Sequence, residues 1–111
     1  MNYQNMVACI EACNNCAEAC NHCAASCLQE DQVKTMTRCI ALDLDCAQTC
    51  ALAAAVMARA SERAKAICAV CADVCQACAE ECAKHKVQHC QDCALACREC
   101  AQLCLQVAAM T

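Results

Sequence analysis

The residues of this chain able to do chemistry are its cysteines, 19 in 111 residues, against three histidines and no tryptophan or phenylalanine. From the N-terminal side they fall at Cys9, Cys13, Cys16, Cys20, Cys23 and Cys27, in alternating steps of four and three residues. Such steps place all these thiols on one stripe of an α-helix, at the a and d positions of a heptad where leucine normally sits. The pattern returns at Cys68, Cys71, Cys75, Cys78 and Cys82, and again at Cys90, Cys93, Cys97, Cys100 and Cys104. Cysteine packs as a small hydrophobe, but a core with a thiol at nearly every inward position is under-filled relative to leucine, and voids cost stability. The ladder therefore points to ligation.

Deprotonated thiols are soft ligands, and charge separates the candidate metals. A Zn²⁺ held by four thiolates leaves a net charge of −2, and its sites usually gather CxxC pairs from knuckles and turns. Cu(I) is softer and monovalent, so one ion per thiolate leaves a neutral interior and avoids most of the desolvation penalty. Residues at i and i+4 present two sulfurs on one helix face, and a neighbouring helix can supply a third. A continuous ladder thus offers overlapping low-coordinate sites of high capacity. Iron–sulfur ligation fits less well, because the usual loop-borne runs ending in proline are missing.

The elements that position these thiols must be helices. The chain contains neither glycine nor proline, the usual punctuation of turns. The inward stripes predict helices over about residues 3–28, 32–58, 61–85 and 88–109, in one domain spanning 1–111. Asp31 is expected to cap the second helix, and Ser61, followed by Glu62, the third. The second helix breaks the thiol pattern: its cysteines are Cys39, Cys46 and Cys50, and the same heptad puts Met36, Asp43, Ala53 and Met57 on the inward stripe beside them. A buried carboxylate is costly unless paired or hydrogen-bonded, which marks Asp43. His85 continues the third stripe one step past Cys82, and His89 flanks the fourth; His22 projects outward.

Four amphipathic segments joined by short connections fold most simply as an all-α, antiparallel up-down-up-down four-helix bundle with cysteines lining the core. That topology gathers Cys27, Met36, Cys39, Cys82, His85, His89 and Cys90 at one end, a polar mouth. It sends Met6, Ala53, Met57, Ala64 and Val107 to the other, an apolar plug.

Several classes are disfavoured. A secreted disulfide scaffold would explain the cysteine density, yet the count is odd, neighbouring thiols on one rigid helix are badly arranged for disulfide geometry, and the opening MNYQNMVACIEAC shows no export signal. The expected compartment is the cytoplasm. The longest charge-free run, Cys46 to Ala58, is shorter than a membrane span. A net charge of −4 with eight scattered Lys and Arg offers no nucleic-acid surface. A thiol oxidoreductase needs one exposed, low-pKa pair, and no pair is singled out. Zinc or cadmium sequestration in the manner of a metallothionein is the main rival.

The ladders CxxxCxxCxxxCxxCxxxC (Cys9 to Cys27) and CxxCxxxCxxCxxxC (Cys68 to Cys82 and Cys90 to Cys104), with ECAKHKVQHCQDC between the last two helices, resemble the bacterial copper storage proteins over essentially the whole chain. The resemblance implies a cytosolic, non-enzymatic homotetramer that stores many Cu(I) ions, buffers copper toxicity and can supply cuproenzymes, exchanging copper with a chaperone or a cytosolic thiol ligand. On that reading the 19 cysteines are the storage ligands, while His85, His89 and Asp43, together with Met36, line the mouth.

Overall fold

In a computed structural model, which describes residues 2–111, helices α1 (Val7–Cys27), α2 (Thr37–Ala58), α3 (Ala64–Ala83) and α4 (Gln88–Ala108) carry the chain, and 3-10 turns Tyr3–Met6 and Val33–Met36 lead into α1 and α2. There is no strand among the described residues. Each helix buries its three-four stripe and exposes its polar face, so the four stripes converge on one axis. Sulfur contacts show the directions. Cys9, Cys16 and Cys23 of α1 meet Cys104, Cys97 and Cys90 of α4, while Cys39, Cys46 and Cys50 of α2 meet Cys82, Cys75 and Cys71 of α3. Rising numbers against falling ones mean antiparallel neighbours. With α1 against α2 and α3 against α4 the ring closes into a rod of 46 × 18 × 17 Å.

The connections explain where the helices stop. Without glycine, α2 ends on Ala60 in the left-handed region, at φ 50°. Its N–H bonds the Met57 carbonyl, and the Ser61 N–H reaches back to Val56, both at 2.9 Å; this is the Schellman closure, normally built on glycine. Ser61 closes that motif and also opens the turn into α3, its carbonyl accepting the Ala64 N–H at 3.0 Å. Its hydroxyl accepts the Arg63 N–H at 3.1 Å, as a capping serine does, one turn ahead of the first α-helical residue, Ala64. Asp31 is no cap: the approach to α2 is stabilised by Thr35, whose hydroxyl donates to the Gln32 carbonyl at 2.7 Å. The carbonyl end of α3 is finished from α4, where the Gln91 amide donates to the carbonyls of Ala83 and His85.

The stretch Val33–Ala58 is long and apolar enough to cross a membrane by length and composition. In the bundle, its stripe of Cys39, Cys46, Cys50, Ala53 and Met57 is buried in the common core. At the end opposite the α1–α2 connection, Met6, Ala53, Met57, Ala64 and Val107 are at most 2% exposed. His22 is exposed.

Candidate metal-binding core

All 19 cysteines are free thiols and none is more than 2% exposed. The a/d geometry that buries them also sets their spacing. Along one helix, i and i+4 sulfurs stand 3.8 to 4.0 Å apart, as at Cys78–Cys82, Cys16–Cys20 and Cys93–Cys97. Across helices they approach to 3.4 Å at Cys39–Cys82 and 3.5 Å at Cys46–Cys75 and Cys13–Cys100. Four-sulfur groups with all ligand atoms within 4.8 Å of one another recur along the axis: Cys13, Cys71, Cys100 and Cys104; Cys16, Cys46, Cys50 and Cys75; Cys16, Cys20, Cys46 and Cys97; Cys20, Cys78, Cys93 and Cys97; Cys23, Cys27, Cys39 and Cys90. The groups share members. Cys16, Cys20, Cys46 and Cys97 each belong to at least two, so the interior is a continuous sulfur lattice rather than a row of separate cages.

Thiols this close cannot ionise independently. Hydrogen bonds from Cys23 and Cys82 push the Cys39 thiol down, while bonds with Cys23 and Cys39 push Cys82 up. One sulfur of such a set carries the charge and its neighbours donate to it. A buried negative charge can spread through the lattice only if cations enter with it.

Asp43 lies inside the tube, not at its rim. It sits one turn inward from Cys39 on α2, is fully buried, and accepts S–H donors from Cys78 at 3.2 Å, Cys82 at 3.3 Å and Cys93 at 3.4 Å. It therefore joins the mouth group to the central groups. Burial, then the charges of Cys93 and Cys78, push its carboxyl up to about 10.

At the mouth, a depression of about 490 Å³ is lined by Met36, His85, Glu30, Lys84 and Lys86 among others. Met36 is 4% exposed. His85 lies just past the end of α3, its Nε2 at 2.9 Å from Glu81; among the described residues it makes no hydrogen bond to a thiol. His89, in the first turn of α4, reaches further in: Nδ1 is 3.4 Å from Cys23 Sγ and 3.7 Å from Cys90 Sγ, while Nε2 is 2.9 Å from Glu30.

Two carboxylates at this end escaped sequence reasoning. Glu81 is 6% exposed and gathers Arg38 at 2.8 Å, Lys84 at 3.4 Å and His85. Burial opposes its ionisation, but hydrogen bonds from His85 and Arg38 and the Lys84 charge hold it below the usual carboxylate range. Its i, i+4 spacing to His85 was a usable signal. The Glu30–His89 pair spans 59 positions, and no local pattern announces it.

A four-helix bundle with a dry, shared lattice of thiols defines a class: helical containers for soft metal ions, many per chain. The chain belongs to the copper storage protein family, whose sequence model matches residues 2–109. It is 52% identical over 89 residues, 80% of this chain and 82% of the relative, to the uncharacterized cysteine-rich protein YhjQ of Bacillus subtilis (strain 168). Among solved structures, the Cu(I)-bound copper storage protein BsCsp3 matches with a TM-score of 0.91 at 50% identity, over 95% of this chain and 99% of that one. A cytosolic copper storage protein from Streptomyces lividans, bearing five coppers, matches with a TM-score of 0.94 at 43% identity, over 98% and 96% of the two chains.

Proposed function

We propose that this chain stores Cu(I) in its core, as a cytosolic protein that sequesters copper and does not catalyse a reaction. The observation that carries the reading is the sharing of sulfurs between adjacent four-thiol groups in a fully buried interior. The spacing alone does not choose the metal, since sulfurs about 2.3 Å from a tetrahedral zinc are also about 3.8 Å apart. Charge does. Filling the lattice with monovalent copper at one ion per thiolate cancels the buried charge, whereas a few divalent ions among 19 thiolates leave a large uncompensated charge in a dry core.

The storage ligands are the 19 cysteines. His89 and His85 receive copper at the mouth, with Met36 lining the approach, and Asp43 holds the junction between mouth and centre. His89 is the direct link, because its Nδ1 already touches two storage thiols; His85 lies one step further out. The plug at the far end makes loading one-directional. A copper chaperone or a small cytosolic thiol ligand delivers and withdraws the metal at the mouth. The chain assembles as a homotetramer, for which exposed Leu44, Leu52, Val70 and Leu95 provide apolar outer surface.

Anaerobic titration of the reduced protein with Cu(I) against a competing chelator tests the storage reading. Uptake approaching one ion per cysteine is expected. Saturation at about four or five ions, with Zn²⁺ bound equally well, would instead assign the core to zinc.

A further inference from the structure

One run of contacts at the mouth leads from a buried thiol to the surface: Cys23, His89, Glu30. Glu30 lies in the connection after α1, its backbone N–H bonded to the Cys27 carbonyl at 3.1 Å. This anchors its carboxylate beside the end of the helix that carries Cys23 and Cys27. Oxygen Oε1 is 2.9 Å from Nε2 of His89. A carboxylate offers only lone pairs, so Nε2 must carry the hydrogen in that contact, and in the neutral imidazole Nδ1 is then the bare nitrogen. Nδ1 faces Cys23 at 3.4 Å and Cys90 at 3.7 Å, two members of the outermost four-thiol group. If the ring were flipped, or its hydrogen moved to Nδ1, no lone pair would face the sulfurs.

We propose that Glu30 is the positioning residue of the mouth: by accepting the Nε2 hydrogen it fixes the orientation and tautomer of His89, so that Nδ1 forms the outermost copper site together with Cys23 and Cys90. Carboxylates and carbonyls that hold the far nitrogen of a ligating histidine act in this way in metal sites generally. Here the arrangement has a further consequence. Glu30 and His89 come from different helical hairpins, so the site is completed only when the two halves of the bundle close on each other. Glu81 holds His85 in a similar bond, but no thiol is bonded to that ring's other nitrogen among the described residues, and the inference is confined to Glu30. It rests on His89 being a copper ligand at the mouth.

The test compares wild type, Glu30→Ala, Glu30→Gln and His89→Ala in the full chain. The first readout needs no metal: ¹⁵N-detected imidazole spectra of the reduced apo protein, at a pH where the ring is neutral. Wild type and Glu30→Gln, whose amide oxygen still accepts, should show a single Nε2–H tautomer. Glu30→Ala should show averaging between tautomers. The second readout is the rate of uptake of the first Cu(I) equivalent from a chelator. Glu30→Ala should slow it about 10-fold, the lower end of the usual effect of losing such a partner, with Glu30→Gln within about twofold of wild type. A wild-type ring carrying its hydrogen on Nδ1 overturns the proposal. So does normal uptake by Glu30→Ala when His89→Ala is slow, or failure of Glu30→Gln to restore the rate. Normal uptake by His89→Ala refutes instead the mouth role of His89 on which the proposal stands.

Discussion

Asp43 is the least expected residue in this core, and replacing it with asparagine gives the sharpest test of the electrostatics. Its carboxyl is pushed from 3.8 to about 10 in the fold, first by burial and then by the charges of Cys93 and Cys78. Between those limits the unfolded chain has lost this proton while the folded chain keeps it. An acid raised in this way contributes stability that is complete below about pH 4 and is lost progressively as pH rises toward 10. The slope is roughly 1.4 kcal/mol per pH unit. From pH 5 to 7 the apo bundle should lose about 3 kcal/mol through this one group. At pH 7 the penalty is 3.2 pH units above the unfolded value of 3.8, or about 4 kcal/mol. That is a large share of the ~5–15 kcal/mol typical of a domain. Asparagine is nearly isosteric, keeps an oxygen to accept the S–H donors of Cys78, Cys82 and Cys93, and does not ionise. Chemical denaturation of both proteins, reduced and anaerobic, followed by helical circular dichroism at pH 5, 6 and 7, measures the effect. The difference between the two curves isolates Asp43 from every group common to both proteins. Asp43→Asn should gain relative to wild type by about 1.4 kcal/mol for each unit of pH. Parallel curves would mean that Asp43 is ionised in the folded apo protein and that the surrounding S–H donors outweigh its burial.

Two further outcomes follow from particular residues. Ala60 holds a left-handed backbone that costs an alanine about 1–2 kcal/mol, so Ala60→Gly should stabilise the bundle by about 1 kcal/mol after the extra freedom of glycine in the unfolded chain is deducted. Thermal unfolding should show a midpoint higher by about 4 °C, and an unchanged or lower midpoint would contradict the Schellman assignment. Replacing His85 and His89 together with alanine should slow Cu(I) uptake while removing at most one or two ions of capacity, because the 19 thiols are untouched; stopped-flow transfer from a chelator and an end-point titration read the two quantities separately. If both stay at wild-type values, copper does not pass the histidines.

Much of this protein was legible because the rule that builds it is local. A residue every three or four positions lies on one face of a helix whatever else surrounds it, so the stripe from Cys9 to Cys27 identified both a helix and an inward face. Three such stripes, with a fourth interrupted at Met36, Asp43, Ala53 and Met57, left an antiparallel bundle as the simplest closure. The boundaries were less legible. Ser61 accepts the Arg63 N–H as expected, but one turn ahead of the first α-helical residue, and Asp31 has the right chemistry for a cap yet lies before the 3-10 turn that leads into α2.

The sequence by itself determined that the thiols face inward and that the core is built for ligation rather than packing, since both follow from spacing along one chain. Only the tertiary structure decided which sulfurs share a site, how deep Asp43 lies, and that Glu81 and Glu30 hold the two histidines. Those depend on the register between helices, set by packing and connections far apart in the chain. The link between Glu30 and His89 exists only after the two hairpins have met.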